Sequence, residues 1–187
     1  MKRIFVITLA AISIFQVQAG SLNVVNLGPE GDLEFEAKAG KLQQKFTLPK
    51  FGNTGGFLIA PKQSAKIEAR MDKPIDVKIP ASDNPKIAVF HRQGDSFDWR
   101  IIESKPTEGK FTLRFVNLTK DPAKIILRKK ELAIPASGEL LAPTPGRSIT
   151  IGDGEKVSVP PSDEPCAMIA FVFNHEGKLQ IHFMPDT

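Results

Sequence analysis

Acyl-transfer hydrolysis needs a nucleophile, a base to activate it and donors for the developing oxyanion. The chain holds one cysteine, Cys166, at the head of the apolar run CAMIAFVF (166–173), where a buried or half-buried free thiol is expected rather than a nucleophile. No G-x-S-x-G elbow occurs, since PASG (135–138) lacks the first glycine. Metal binding wants several His, Cys or carboxylates converging at short spacing. The three histidines, His91, His175 and His182, are scattered and read as solvated groups near strand ends, so no metal and no cofactor is expected. GDGEK (152–156) lacks the ladder of acids and the closing Glu of a calcium loop. GNTGG (52–56) has no GK[ST] and opens no helix. Among the 21 acids, Glu34, Glu36, Glu68 and Asp76 fall on the outward side of alternating segments, and nothing marks a catalytic pair.

Binding chemistry has one candidate. Phe97 and Trp99 share a face of SFDWRI (96–101); core packing is the leading reading of the pair, and a small sugar platform the lesser one. With one Trp and no Tyr, no larger platform of ring faces is available.

The elements that must carry these residues are strands. In LEFEAKA (33–39) the apolar Leu33, Phe35, Ala37 and Ala39 alternate with Glu34, Glu36 and Lys38, and KIEAR (66–70), IDVKI (75–79), SITI (148–151), VSV (157–159) and LQIHF (179–183) alternate likewise. Period two means one face buried and one wet. The run 166–173 is apolar on both faces, as a strand covered twice would be. Prolines recur too often for helices, and GDG, QGD and EGK supply the positive φ of tight turns.

Blocks of sequence recur in one order: LNVVNL (22–27) with LRFVNL (113–118), GFLIAP (56–61) with GELLAP (138–143), VKIPASDNP (77–85) with VSVPPSDEP (157–165), and VFHRQG (89–94) with VFNHEG (172–177). Such self-similarity marks an internal duplication. The expected fold is all-β: two tandem antiparallel β-sandwich modules, Ig-like, with around seven strands each, spanning 20–104 and 110–187 and joined by a linker at 105–109. Within the repeated turn, Pro80 and Pro160 stop a strand for want of an N–H. Ser82, Asp83, Ser162 and Asp163 bond back to turn amides, and Pro85 and Pro165 fix the next entry. A ligand-binding role for these Ser/Asp pairs is the lesser reading. The same alignment sets Cys166 opposite Lys86, which leaves room for a solvent-reachable thiol. The triplet NLT (117–119) is an N-glycosylation acceptor in form, but its twin is NLG, so Asn117 reads as a strand-to-turn residue.

Residues 1–19 have the form of a signal peptide: Lys2 and Arg3, an apolar core from Ile4 to Phe15, and small residues before an expected cleavage after Ala19. The apolar run is short for a membrane span, so export to the periplasm or beyond is expected, with no span after cleavage. Without Lys2 and Arg3 the 25 basic residues become 23 against 21 acids. This near-balance, with Glu131 beside the RKK run at 128–130, argues against a nucleic-acid partner.

The order VNL strand, AKAGK hairpin, LPKFGNTGGFLIAPKQSAKIEA (48–69) and VKIPASDNPKIAVF resembles the tandem β-sandwich modules of exported bacterial envelope proteins such as the alginate O-acetylation accessory protein AlgF. The resemblance spans the mature chain and rests on short motifs, so it transfers no site residue. It implies a non-catalytic envelope protein that docks onto partner enzymes. The expected function is therefore an exported binding or scaffold protein recruiting a protein partner in the cell envelope. Polysaccharide binding through Phe97 and Trp99, or an enzyme of unrecognised type, are the alternatives.

Overall fold

A computed structural model describes residues 21–28, 31–58, 63–105, 111–142, 148–152, 154–161 and 166–186. The expected leader, most of the expected linker, and Ser162, Asp163 and Pro165 lie outside the described residues. The described chain is all-β. Its first half forms β1 (Ser21–Leu27), β2 (Leu33–Ala39), β3 (Leu42–Leu48), β4 (Phe57–Leu58), β5 (Ala65–Ala69), β6 (Ile75–Ile79), β7 (Lys86–Gln93) and β8 (Ser96–Glu103). The second forms β9 (Thr112–Asn117), β10 (Ala123–Leu127), β11 (Lys130–Ile134), β12 (Glu139–Ala142), β13 (Ser148–Ile151), β14 (Glu155–Ser158), β15 (Ala167–His175) and β16 (Lys178–Pro185). Each half thus has one strand more than expected; β4, two residues long, is too short to show a period.

Four four-stranded sheets result, in the orders β3-β2-β5-β6, β4-β1-β7-β8, β12-β9-β15-β16 and β11-β10-β13-β14. Three apolar cores separate them. Leu33, Phe35 and Ile67 meet Val24, Phe90 and Trp99 between the first two sheets. Phe115, Ala170 and Val172 meet Ile125 and Ile149 between the last two. A third core, with Val25, Leu27, Ile87 and Val89 on one side and Val116, Ile169, Phe171 and Phe173 on the other, joins the two halves. The molecule is four layers deep, and its inner sheets are covered on both faces. That is why β1, β7, β9 and β15 are written as nearly unbroken apolar runs.

The expectation of purely antiparallel sheets needs correction. β1 runs parallel to β7, Leu22 beside Lys86 through Leu27 beside His91, and β9 runs parallel to β15. A parallel neighbour requires a long crossover, and here the crossover is the whole outer sheet of each half.

Ladder register also corrects the internal alignment. Leu22 pairs with Lys86 and its twin Leu113 pairs with Met168, so Met168, not Cys166, answers to Lys86. Cys166 is half-buried just ahead of β15 and packs against the second core. Phe57 pairs with Leu22, whereas Ala142 pairs with Leu113, so GFLIAP and GELLAP are out of step by three residues. By position in the sheets the counterpart of the turn LPKFG (48–52) is IPASG (134–138), where Gly52 N–H donates to Pro49 O and Gly138 N–H to Pro135 O, each at 2.9 Å. A Cβ at Gly52 would lie 2.9 Å from Pro49 O, and one at Gly138 2.8 Å from Pro135 Cβ, so both positions exclude a side chain.

The repeated Asn of the VNL strand secures that turn. Asn26 Nδ2 donates to Leu48 O at 3.1 Å, and Asn117 Nδ2 to Pro135 O at 3.0 Å. Each Oδ1 accepts an amide two residues on, from Gly28 at 3.1 Å and Thr119 at 3.0 Å. Both side chains are fully buried, which accounts for Asn117 as a structural residue.

Candidate functional site

Trp99 is a core residue. It is 7% exposed, packs against Phe90 with centroids 4.7 Å apart, and meets Phe35 edge-on at 6.4 Å. Its indole N–H donates to Ile75 O at 3.1 Å, bolting β8 to β6 across the two sheets. The sugar-platform reading of Trp99 is therefore corrected: neither ring face is offered to solvent. Phe97, two residues earlier, stacks on Phe90 at 5.6 Å but remains half-buried, and it lines a cleft.

That cleft, about 590 Å³, opens at one end of the first half. The β1–β2 connection brings Asp32, the β5–β6 loop brings Arg70, Asp72 and Lys73, and the β7–β8 hairpin brings Asp95 and Ser96. Leu33, Met71, Ile75 and Phe97 supply apolar walls. Sheet ends put loops side by side because the strands that carry them are neighbours, and loops there can vary without cost to the core. An apolar wall under a mixed-charge rim suits a ligand with one apolar face and several polar edges.

The carboxylates of the outer sheet are more organised than the sequence suggested. Cross-strand register places Glu36 beside Glu68 and Glu68 beside Asp76, an acidic row across one face of the sheet. Lys66 bridges Glu68 at 3.4 Å and Asp76 at 3.2 Å. Glu36 is only 6% exposed, a correction to its expected wet position. Arg70 at 3.3 Å, Lys38 at 3.6 Å and the Gln43 amide cover it. Burial works to raise its carboxyl, but the hydrogen bonds from Arg70 and Gln43 and the charges of Lys38 and Arg70 outweigh it and hold it below the usual range. Asp76, by hydrogen bond and charge, raises Lys66. These pairs neutralise one another rather than leave a proton donor poised for chemistry.

In the repeated turn, Pro80 follows the end of β6 and Pro85 precedes β7. Ser82 Oγ accepts the Asn84 amide at 3.0 Å, closing the turn on itself. Asp83 is exposed and does not join it. The organiser is Glu103, whose Oε1 receives Asn84 Nδ2 at 2.8 Å and Lys86 Nζ at 2.9 Å. Those two hydrogen bonds and the Lys86 charge lower its carboxyl to about 2. In the second half, Pro160 is exposed after β14, and residue 103 is answered by Pro185 in the ladder, so this network is not duplicated.

The histidines also differ from expectation: all three stand on faces turned toward the other half. His91 follows Ile87 and Val89 of the shared core at alternate positions, is 4% exposed, and is pushed below the ordinary imidazole value by burial. His175 continues the face of Phe171 and Phe173, and His182 that of Met184. Burial lowers His182 as well. At the opposite end of this interface, Arg114 and Asp186, 6% and 2% exposed, form a buried pair 2.9 Å apart. Asp186 also accepts Ser104 Oγ at 2.7 Å and the Lys105 amide at 3.0 Å, which ties the end of β8 to the second half. Among the described residues, no buried side-chain polar atom lacks a partner, and no group of three or more His, Cys, Asp or Glu is placed to hold a metal ion.

No family model matches the chain, and no curated protein is significantly similar to it.

Proposed function

We propose that the protein is an exported, non-catalytic binding or scaffold protein that recruits a protein partner in the cell envelope through the loop-end cleft of its first half. The observation that supports this reading is the cleft itself: three loops held by adjacent strands set Asp32, Asp72, Asp95, Arg70 and Lys73 around an apolar wall that includes Phe97. A volume near 590 Å³ accommodates one or two side chains of a partner. The depth of four packed sheets favours a rigid platform, which keeps the ordering cost of binding low. The matching strand orders, the paired buried asparagines and the paired P-x-x-G turns support an origin by internal duplication of one Ig-like module.

Polysaccharide recognition is a second reading, and Phe97 with the acidic and guanidinium groups of the cleft favours it. A photo-cross-linker at exposed Lys73, followed by identification of captured envelope proteins, separates the two. The expected result is one reproducible protein, lost when Asp72 and Lys73 are exchanged in charge (Asp72→Lys, Lys73→Glu). Reproducible glycan binding with no captured protein would transfer the cleft to the second reading; neither result would end both.

A further inference from the structure

The turn Pro49–Gly52 reaches across to the second half. Lys50 Nζ lies 3.0 Å from His175 Nε2. The Phe51 ring lies parallel to His182 at 5.8 Å, meets His175 edge-on at 6.3 Å and leans on Phe173 at 6.1 Å. Phe51 has φ 63°, a conformation disfavoured by its Cβ and kept only where surroundings hold it. The matched turn Pro135–Gly138 reaches the other way, and there Arg100 Nη2 donates to Ser137 O at 2.7 Å. Arg100 and His182 occupy equivalent ladder positions on β8 and β16. The two turns therefore make reciprocal contacts, one keyed by imidazoles and one by a guanidinium that stays charged at every working pH.

We propose that the Pro49–Gly52 turn is an acid-released clasp: protonation of His175 breaks its contact with Lys50 and frees the turn, while the apolar core between the halves stays closed. An ammonium only donates, so the contact requires Nε2 to be unprotonated. Adding the proton replaces a hydrogen bond with two cations about 3 Å apart. Lys178 is the cross-strand neighbour of His175 and adds a third positive charge. Glu176 follows in the turn, and Arg92 and Asp95 of the facing hairpin stand at the same rim with Glu176. From the first half's inner sheet, His91, its cross-strand neighbour Asp98, and Arg100 share the face toward the second half. None of these carboxylates is in ion-pair contact with His175. Phe51 stacked on His182 tolerates an imidazolium through cation–π attraction, so Lys50 and His175 decide the release.

Amide hydrogen exchange read residue by residue tests the clasp with an internal control. The Phe51 amide donates to Asn26 O and the Gly52 amide to Pro49 O; in the other turn the Ser137 amide donates to Thr119 O and the Gly138 amide to Pro135 O. Between about pH 8 and about pH 5, the range in which imidazoles titrate, protection at Phe51 and Gly52 should fall roughly tenfold after correction for intrinsic rates. Ser137 and Gly138 should hold. His175→Gln should abolish the fall, and Lys50→Met should reduce it. Constant protection at Phe51 and Gly52, an equal loss at Ser137 and Gly138, or a full fall in either variant would overturn the proposal. Should His175→Gln fail to fold, Lys50→Met decides alone.

Discussion

Glu103 shows how a single carboxylate can define a corner. Its folded value near 2 lies below the ordinary 4.5, so its contribution to stability is complete above about pH 4.5 and drains away as pH falls toward about 2. Glu103→Gln should therefore melt at a lower temperature than the parent near neutrality, and the gap should close in acid. Melting curves across that range check this; a gap that stays constant with pH would remove Glu103 from the corner's stability. Sequence reading set Pro80 and Pro85 at either side of the corner and credited Ser and Asp with closing it. Ser82 does take part, while Glu103 stands 21 residues away from it, and no local spacing rule reaches that far. Buried Asn26 and Asn117 were legible only as repeated letters. Their bonds to Leu48 O and Pro135 O depend on which carbonyls the next strands leave unpaired.

At the scale of elements, period-two alternation located the strands well, because a half-buried strand must alternate. Turn chemistry was less faithful. The β10–β11 hairpin closes through Arg128 and Lys129 at φ 51° and 67°, the conformation that Asn-Gly adopts without strain. Nothing in RKK announces a tight turn; the ladder from Ala123–Ile134 to Leu127–Lys130 imposes it. Lys129→Gly should stabilise the protein by about 0.5–1 kcal/mol, relief of the Cβ conflict exceeding the entropy lost by glycine. Equilibrium denaturation measures this, and a destabilised variant would mean that the Lys129 side chain is worth more than its strain.

Across the whole molecule, the shared core makes the halves interdependent. Phe171 belongs to the second half yet packs in the layer that covers β1 and β7, and Phe171→Ala should cost about 3–5 kcal/mol. The lone Trp99 lies in the first core, so its fluorescence reports on the half that does not carry the substitution. Its unfolding midpoint should move together with the far-ultraviolet dichroism. An unmoved Trp99 transition would show that the halves unfold separately.

By itself the sequence determined the all-β class and most strand positions, because each depends on residues adjacent in the chain. It also marked 166–173 as doubly covered. What covers it was decided only in three dimensions. The layer between the halves carries Asn23, His91, Arg114, His175, His182 and Asp186 among its apolar residues, and along the chain such residues look like a wet face. They can be buried because distant segments bring partners to them, some from the other half, Ser104 at Asp186 and Lys50 and Phe51 at His175 and His182, and some from their own, Arg114 at Asp186 and Thr54 at Asn23. A polar group enters a core when its hydrogen bonds are met, and that condition is set by the packing of distant segments.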